Sequence, residues 1–230
     1  MLIICDYRSP AVAVEKLLQK GTVVLFNSRL LSTMPLHGHP DLYLCQTPNT
    51  LILAPNVDLE ILAKIKEEKV PFVFGKNPVI PQHPEIARYN AVVTNKVTIC
   101  NPKTVDPKIL EASFENVIID VKQSYNRCST VALSEDIFLT SDSKTHLQLI
   151  KKGFESILID PKTIKLDGYS HGLFGGCAGV CSSSNTLYLM GLLNSLANSK
   201  EIKTLVAKSN LSLCELSNEN LLDVGGLFFL

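Results

Sequence analysis

The feature that most constrains this chain is a pattern that recurs along it. Residues 41–76, "DLYLCQTPNTLILAPNVDLEILAKIKEEKVPFVFGK", read as a strand, a turn at Pro48-Asn49, a second strand, a helix with Leu59, Leu62 and Ile65 as its apolar positions, and a third strand. Residues 90–122, "NAVVTNKVTICNPKTVDPKILEASFENVIIDVK", repeat the order, as do residues 128–161, "CSTVALSEDIFLTSDSKTHLQLIKKGFESILIDP". Residues 175–216 form a looser copy. A repeat of roughly 40–50 residues marks tandem supersecondary units, each too small to bury its own apolar face. The helices follow Asp, Asn or Ser, as in "NVDLE", "TVDPK" and "TSDSK", where a short polar side chain can accept from first-turn N–H groups.

The two ends complete the pattern. "MLIICDYRSPAVAVEKLLQKGTVVLFNSR" is a unit without its first strand, and "GGLFFL" is a first strand without its unit. Pairing them makes a fifth copy. The expected architecture is α/β: one domain over residues 1–230, built of five strand-strand-helix-strand units and closed into a ring by its own terminal strands. Closure hides strand edges that an open array would expose.

Composition sets limits. Hydrophobic residues make up 46% and charged residues 19%, which suits a globular core. Lys+Arg and Asp+Glu both number 22, with no basic stripe, so nucleic acid is not the expected partner. No apolar run approaches the ~18 residues of a membrane span, and "MLIICDYRSP" does not read as a signal peptide. The expected location is the cytoplasm. Seven cysteines, an odd number mostly within apolar segments, point to free buried thiols. Cys177 and Cys181 lack a matching His/Cys pair, so neither a zinc site nor another cofactor is expected.

Five such units in a ring, with the ends sharing one unit, resemble the guanidino-group-modifying enzymes, the pentein superfamily. The stretches "HGHPDLYLCQ", "YNRCSTVALSEDIFLTSD" and "SHGLFGGCAGV" look like a bacterial branch of it without an established activity. The superfamily includes arginine deiminases, dimethylarginine hydrolases, amidinotransferases and agmatine deiminases, and a ribosome anti-association initiation factor without catalysis. The resemblance implies a small-molecule site at the ring axis, built from residues just before the first strands. It implies that Asp41, beside His37 and His39, holds a guanidinium, because a carboxylate can accept two parallel hydrogen bonds from one. Solvation in a proline turn is the competing structural role.

The resemblance also locates the catalytic histidine and cysteine of the hydrolases. The histidine position falls on Asn126 or Arg127, and the cysteine position on Phe228 or Phe229. Neither half of the pair is present, so its covalent amidine chemistry is not expected. Arg88 and Asn90 open the third unit, where relatives often bind a substrate carboxylate. Arg8 could do the same or pair with Asp6. The run "GYSHGLFGGCAG" is richer than a strand needs: Gly175 and Gly176 favour close backbone approach, and His171 with Cys177 forms a candidate relocated catalytic pair. Packing in a tight turn explains both equally. The leading expectation is binding of a small cationic, guanidino- or amino-acid-like ligand by His39, Asp41, Arg88, Asn90, Asn126, Arg127, His171, Gly175 and Gly176. The alternatives are a protein-interaction module like the initiation factor, and a hydrolase using Cys177.

Overall fold

The computed structural model describes residues 1–32 and 34–230. Its strands fall into five three-stranded sheets. The second unit contains β3 (Leu44–Gln46), β4 (Leu51–Leu53) and β5 (Phe72–Phe74); the third, β6 (Val92–Val93), β7 (Val97–Cys100) and β8 (Val117–Asp120). The fourth contains β9 (Thr130–Ala132), β10 (Ile137–Thr140) and β11 (Glu155–Leu158); the fifth, β12 (Ala178–Cys181), β13 (Thr186–Leu189) and β14 (Ser212–Glu215). In each, the first strand pairs antiparallel with the second, which pairs parallel with the third. A parallel neighbour needs a crossover. Helices α2 (Leu59–Glu67), α3 (Pro107–Ala112), α5 (Ser143–Lys151) and α6 (Ser199–Lys208) supply it. A one-turn helix, α4 (Asn126–Ser129), precedes β9.

The termini pair as the repeat requires. Strand β15 (Phe228–Phe229) runs antiparallel to β1 (Leu2–Asp6), with Ile3 opposite Phe229 and Ile4 opposite Phe228. Backbone bonds Leu2 N to Leu230 O at 2.9 Å and Leu230 N to Leu2 O at 2.8 Å extend the ladder. Helix α1 (Ala11–Leu18) then crosses over to β2 (Thr22–Phe26), parallel to β1.

Burial grades across each sheet. Second strands are buried along their length except at Thr186 of β13, whereas third strands such as β11 and β14 are exposed or half-exposed throughout. Strands covered on both faces read as continuous apolar runs, which is why "LIL", "VTIC", "IFLT" and "TLYL" carry so few charges. The apolar clusters join neighbouring sheets: Ile99, Phe138 and Leu149 between the third and fourth, and Ile3, Tyr188 and Phe229 between the fifth and the terminal one. First strands touch in succession, β3 with β6, β6 with β9, β9 with β12 and β12 with β15. Gln46 of β3 links back by donating to the Phe229 carbonyl at 2.9 Å.

Two local expectations need correction. Helix α2 buries Ile61 and Ile65, while Leu59 is 80% exposed. Apolar residues stand at 59, 61, 62 and 65, so two faces compete, and packing against β2 selects the inner one. Asp58 precedes α2 but accepts from the Arg29 backbone N–H, whereas Asp106 and Asp142 do cap their helices. No helix among the described residues is long and apolar enough to cross a membrane.

Candidate functional site

The segments just ahead of the first strands bring charged and polar side chains together. Asp41 comes from a short 3-10 turn before β3, Asn90 from the approach to β6, Arg127 and Cys128 from α4, and Asp223 from the approach to β15. His39 and Asp6 join them. Asp6, His39, Asp41, Asn90, Cys128 and Asp223 are all buried.

Asp41 is the hub. Its Oδ2 accepts from the Cys128 thiol at 2.7 Å, and its Oδ1, fully buried, has no hydrogen-bond partner. Burial pushes its carboxyl up to about 6, against the pull of the thiol and of Arg127. Asn90 is fixed beside it, because its Oδ1 accepts from the Arg127 and Cys128 backbone N–H groups at 2.7 and 3.1 Å. Its Nδ2 thereby faces the Asp41 carbonyl and the Cys128 sulfur, both at 3.3 Å.

His39 stands between two carboxylates without bonding either. Nε2 is 4.0 Å from Asp6 Oδ2, Nδ1 is 3.9 Å from Asp223 Oδ1, and both nitrogens lack a partner. Burial pushes the imidazole down to about 4, so the ring is neutral. Asp6 is already committed to Arg8, through Nε at 3.0 Å and Nη2 at 2.5 Å. That contact settles Arg8 as the partner of Asp6. Asp223 accepts from the Gly225 and Leu173 N–H groups at 3.0 and 2.8 Å, yet burial pushes it up to about 7.

Arg127 is the cation that acts on Asp41 and Asp223. Its Nη1 donates to Gly175 O at 2.7 Å, its Nη2 to Ala178 O at 2.9 Å and Leu227 O at 3.3 Å, and its guanidinium lies 5.4 Å from the Phe228 ring centre. Glycine is required around it. Gly225 and Gly226 take φ of +66° and +81°, and a side chain on Gly226 would press on the guanidinium. A Cβ on Gly176 would collide with the Asp223 carboxylate. Arg127 also lines a cavity of about 410 Å³ that receives Gln46, Val92, Thr130, Val180 and Leu227, residues from all five units.

His39, Asp41, Asn90 and Arg127 therefore meet, with Gly175 packed against Arg127 and Gly176 against Asp223. Asn126 sits alongside with its Nδ2 bonded to the Gln123 and Ser124 carbonyls and its Oδ1 unpaired. Arg88 lies elsewhere, lining a separate cavity of about 250 Å³ with Glu85 and Lys103. His171 bonds the Gly172 carbonyl at 2.9 Å, and the Cys177 thiol donates to Leu173 O at 3.4 Å. Burial raises the Cys177 thiol well above its ordinary range, which opposes thiolate chemistry there. Cys128 and Asp223 were not singled out by sequence. The available signal is position, since each lies just ahead of a first strand, as Asp41 does.

Chemically, the cluster holds a protonated thiol, a neutral imidazole and three carboxyl groups, of which Asp6 is paired with Arg8, so that Asp41 and Asp223 share the Arg127 guanidinium. Burial and Asp41 both raise the Cys128 thiol, so the resting sulfur is not a nucleophile. What the arrangement offers is anionic and lone-pair ligation of a cation.

No curated protein matches the sequence. Solved structures do match the fold. C. jejuni agmatine deiminase superposes with a TM-score of 0.53 at 12% identity, over 94% of this chain and 86% of that chain. A cysteine-to-serine variant of that enzyme with substrate bound gives a TM-score of 0.47 at 13% identity, over 94% and 87%. The first likeness shows that this chain shares the fold of that agmatine deiminase. At the level of sequence, the chain belongs to the family described as Family of unknown function (DUF6873), whose model matches residues 4–228.

Proposed function

We propose that the five sheets form a closed five-fold ring and that its axis binds a small cationic, guanidino- or amino-acid-like ligand. The observation that carries this reading is the imbalance around Asp41. Asp41 and Asp223 are buried with Arg127 as their nearby cation, Asp6 being taken by Arg8, and Asp41 Oδ1 has no donor. A buried acceptor without a partner costs ~1–3 kcal/mol, which a ligand ammonium or guanidinium would recover. Likeness to an agmatine deiminase adds the chemical class. The Cys-His amidine chemistry is not part of the proposal, because Phe228, Phe229, Asn126 and Arg127 occupy the matching positions and Cys177 is a buried thiol.

Thermal-shift titration with agmatine, arginine and creatine tests it. A ligand of the folded state alone raises the melting temperature by mass action, and the shift should vanish in Asp41→Asn. The burial of Phe228 and Phe229, 1% and 6% exposed, at the inner strand favours a second reading, a non-catalytic interaction module. Absence of any shift with all three guanidines would leave that reading in place.

A further inference from the structure

We propose that His39, Asp41 and Cys128 form a binding site for one soft divalent cation of the zinc type, inside the cluster. One donor atom from each, an imidazole nitrogen, a carboxylate oxygen and the sulfur, lies within 4.8 Å of the other two. All three residues are buried, and neither His39 nitrogen nor Asp41 Oδ1 has a hydrogen-bond partner. Spacing along the chain conceals the site, because His39 and Asp41 precede the second unit's first strand whereas Cys128 precedes the fourth's.

The donor set selects the metal. Thiolate, imidazole and a single carboxylate suit zinc and cobalt, whereas magnesium and calcium require mostly oxygen. Zinc bonds of 2.0–2.3 Å at tetrahedral angles place donors roughly 3.4–3.6 Å apart. The Cys128–Asp41 pair would therefore open from 2.7 Å as the ion enters. Outer partners are already in position. Asn90 Nδ2, 3.3 Å from the sulfur, points a donor at it as a bound thiolate needs. With one His39 nitrogen on the ion, the other still faces Asp6 or Asp223, the carboxylate-histidine-metal arrangement that orients ligands. Cys128 and Asp41 would together neutralise the ion. On binding, the S–H bond breaks, its electron pair forms the sulfur-metal bond and the proton leaves to solvent, with no change of oxidation state.

The inference goes beyond guanidine binding and is separable from it. Full-length protein, stripped with chelator, is titrated with Co²⁺ and Zn²⁺. One equivalent of Co²⁺ should bind and develop a thiolate-to-cobalt absorption band, with about one proton released per Zn²⁺ in weakly buffered solution. Cys128→Ser should abolish the band and weaken Zn²⁺ by more than about 100-fold, the upper end for losing an outer partner alone; Cys177→Ala should retain it. X-ray absorption on the Zn²⁺-loaded parent needs no variant and should give one sulfur with the remaining neighbours nitrogen or oxygen. A shell with no sulfur or with two, or a band that survives Cys128→Ser, overturns the proposal. Agmatine binding that persists in Cys128→Ser while Zn²⁺ binding is lost separates the two sites of action. Zn²⁺ binding without any guanidine response would sink the organic-ligand reading alone.

Discussion

The Cys128 thiol points at Asp41 Oδ2 across 2.7 Å, joining residues 87 positions apart in the chain. This contact spans the second and fourth units and marks where their first strands converge. It places an acid and a thiol in a space with too few donors, and the functional reading depends on that shortage.

Arg127 should be hard to replace. Arg127→Met removes a donor from the carbonyls of Gly175, Ala178 and Leu227 and takes away the cation that acts on Asp41 and Asp223. Removing one partner of a buried charge arrangement costs ~3–5 kcal/mol. Arg127→Lys should recover only part, since an ammonium lacks the planar fork that reaches several acceptors. Urea unfolding measures both, and an Arg127→Met variant as stable as the parent would refute the role given to the guanidinium.

The terminal strand should be indispensable. Phe228 packs under Arg127 and Phe229 stacks on Tyr188 with ring centroids 4.7 Å apart. Phe→Ala at a buried site costs ~3–5 kcal/mol, comparable with the net stability of a domain. Phe228→Ala should lower the unfolding midpoint sharply, and deletion of residues 225–230 should give insoluble protein or a non-cooperative transition. A soluble, cooperatively unfolding deletion variant would contradict the closure.

Much of this was legible in sequence because apolar runs and turn residues recur with one order, and a missing strand at each end has one economical solution. The pairing of Ile3 with Phe229 follows from that pattern. Side-chain partnerships were less legible. Asp41 and Arg127 could be placed by their position before a strand, but nothing local tells Cys128 that its partner is Asp41. In sequence, the glycine-rich loop at Gly175 and Gly176 reads as a backbone cradle for ligand. Its glycines instead make room for the Arg127 backbone and the Asp223 carboxylate. The face that α2 buries is not fixed by sequence, because two apolar stripes are available and only packing chooses between them.

Stability should depend on pH through Asp223. Its folded carboxyl lies at about 7 against an ordinary value of 3.8, so folding favours the neutral form. That contribution is complete below about 4 and is lost as pH rises through 7. Asp41 acts in the same sense up to about 6, while His39, held at about 4, acts oppositely between 4 and 6.5. The difference between Asp223→Asn and parent isolates one group. With chelator present, the stability of the variant relative to the parent should rise between pH 4 and 7 and stay level above. A flat or falling difference would contradict the burial of an unneutralised acid.

Calorimetric titration of agmatine into the parent and into Asp41→Asn tests the axial cation site most directly. Asp41→Asn preserves side-chain shape and removes the charge. The parent should bind one equivalent, and the variant should lose at least about 10-fold in affinity, the equivalent of ~1.4 kcal/mol, while keeping a cooperative unfolding transition. Equal affinity in both proteins, or no binding of any guanidine or amine by the parent, would contradict a cation site built on Asp41.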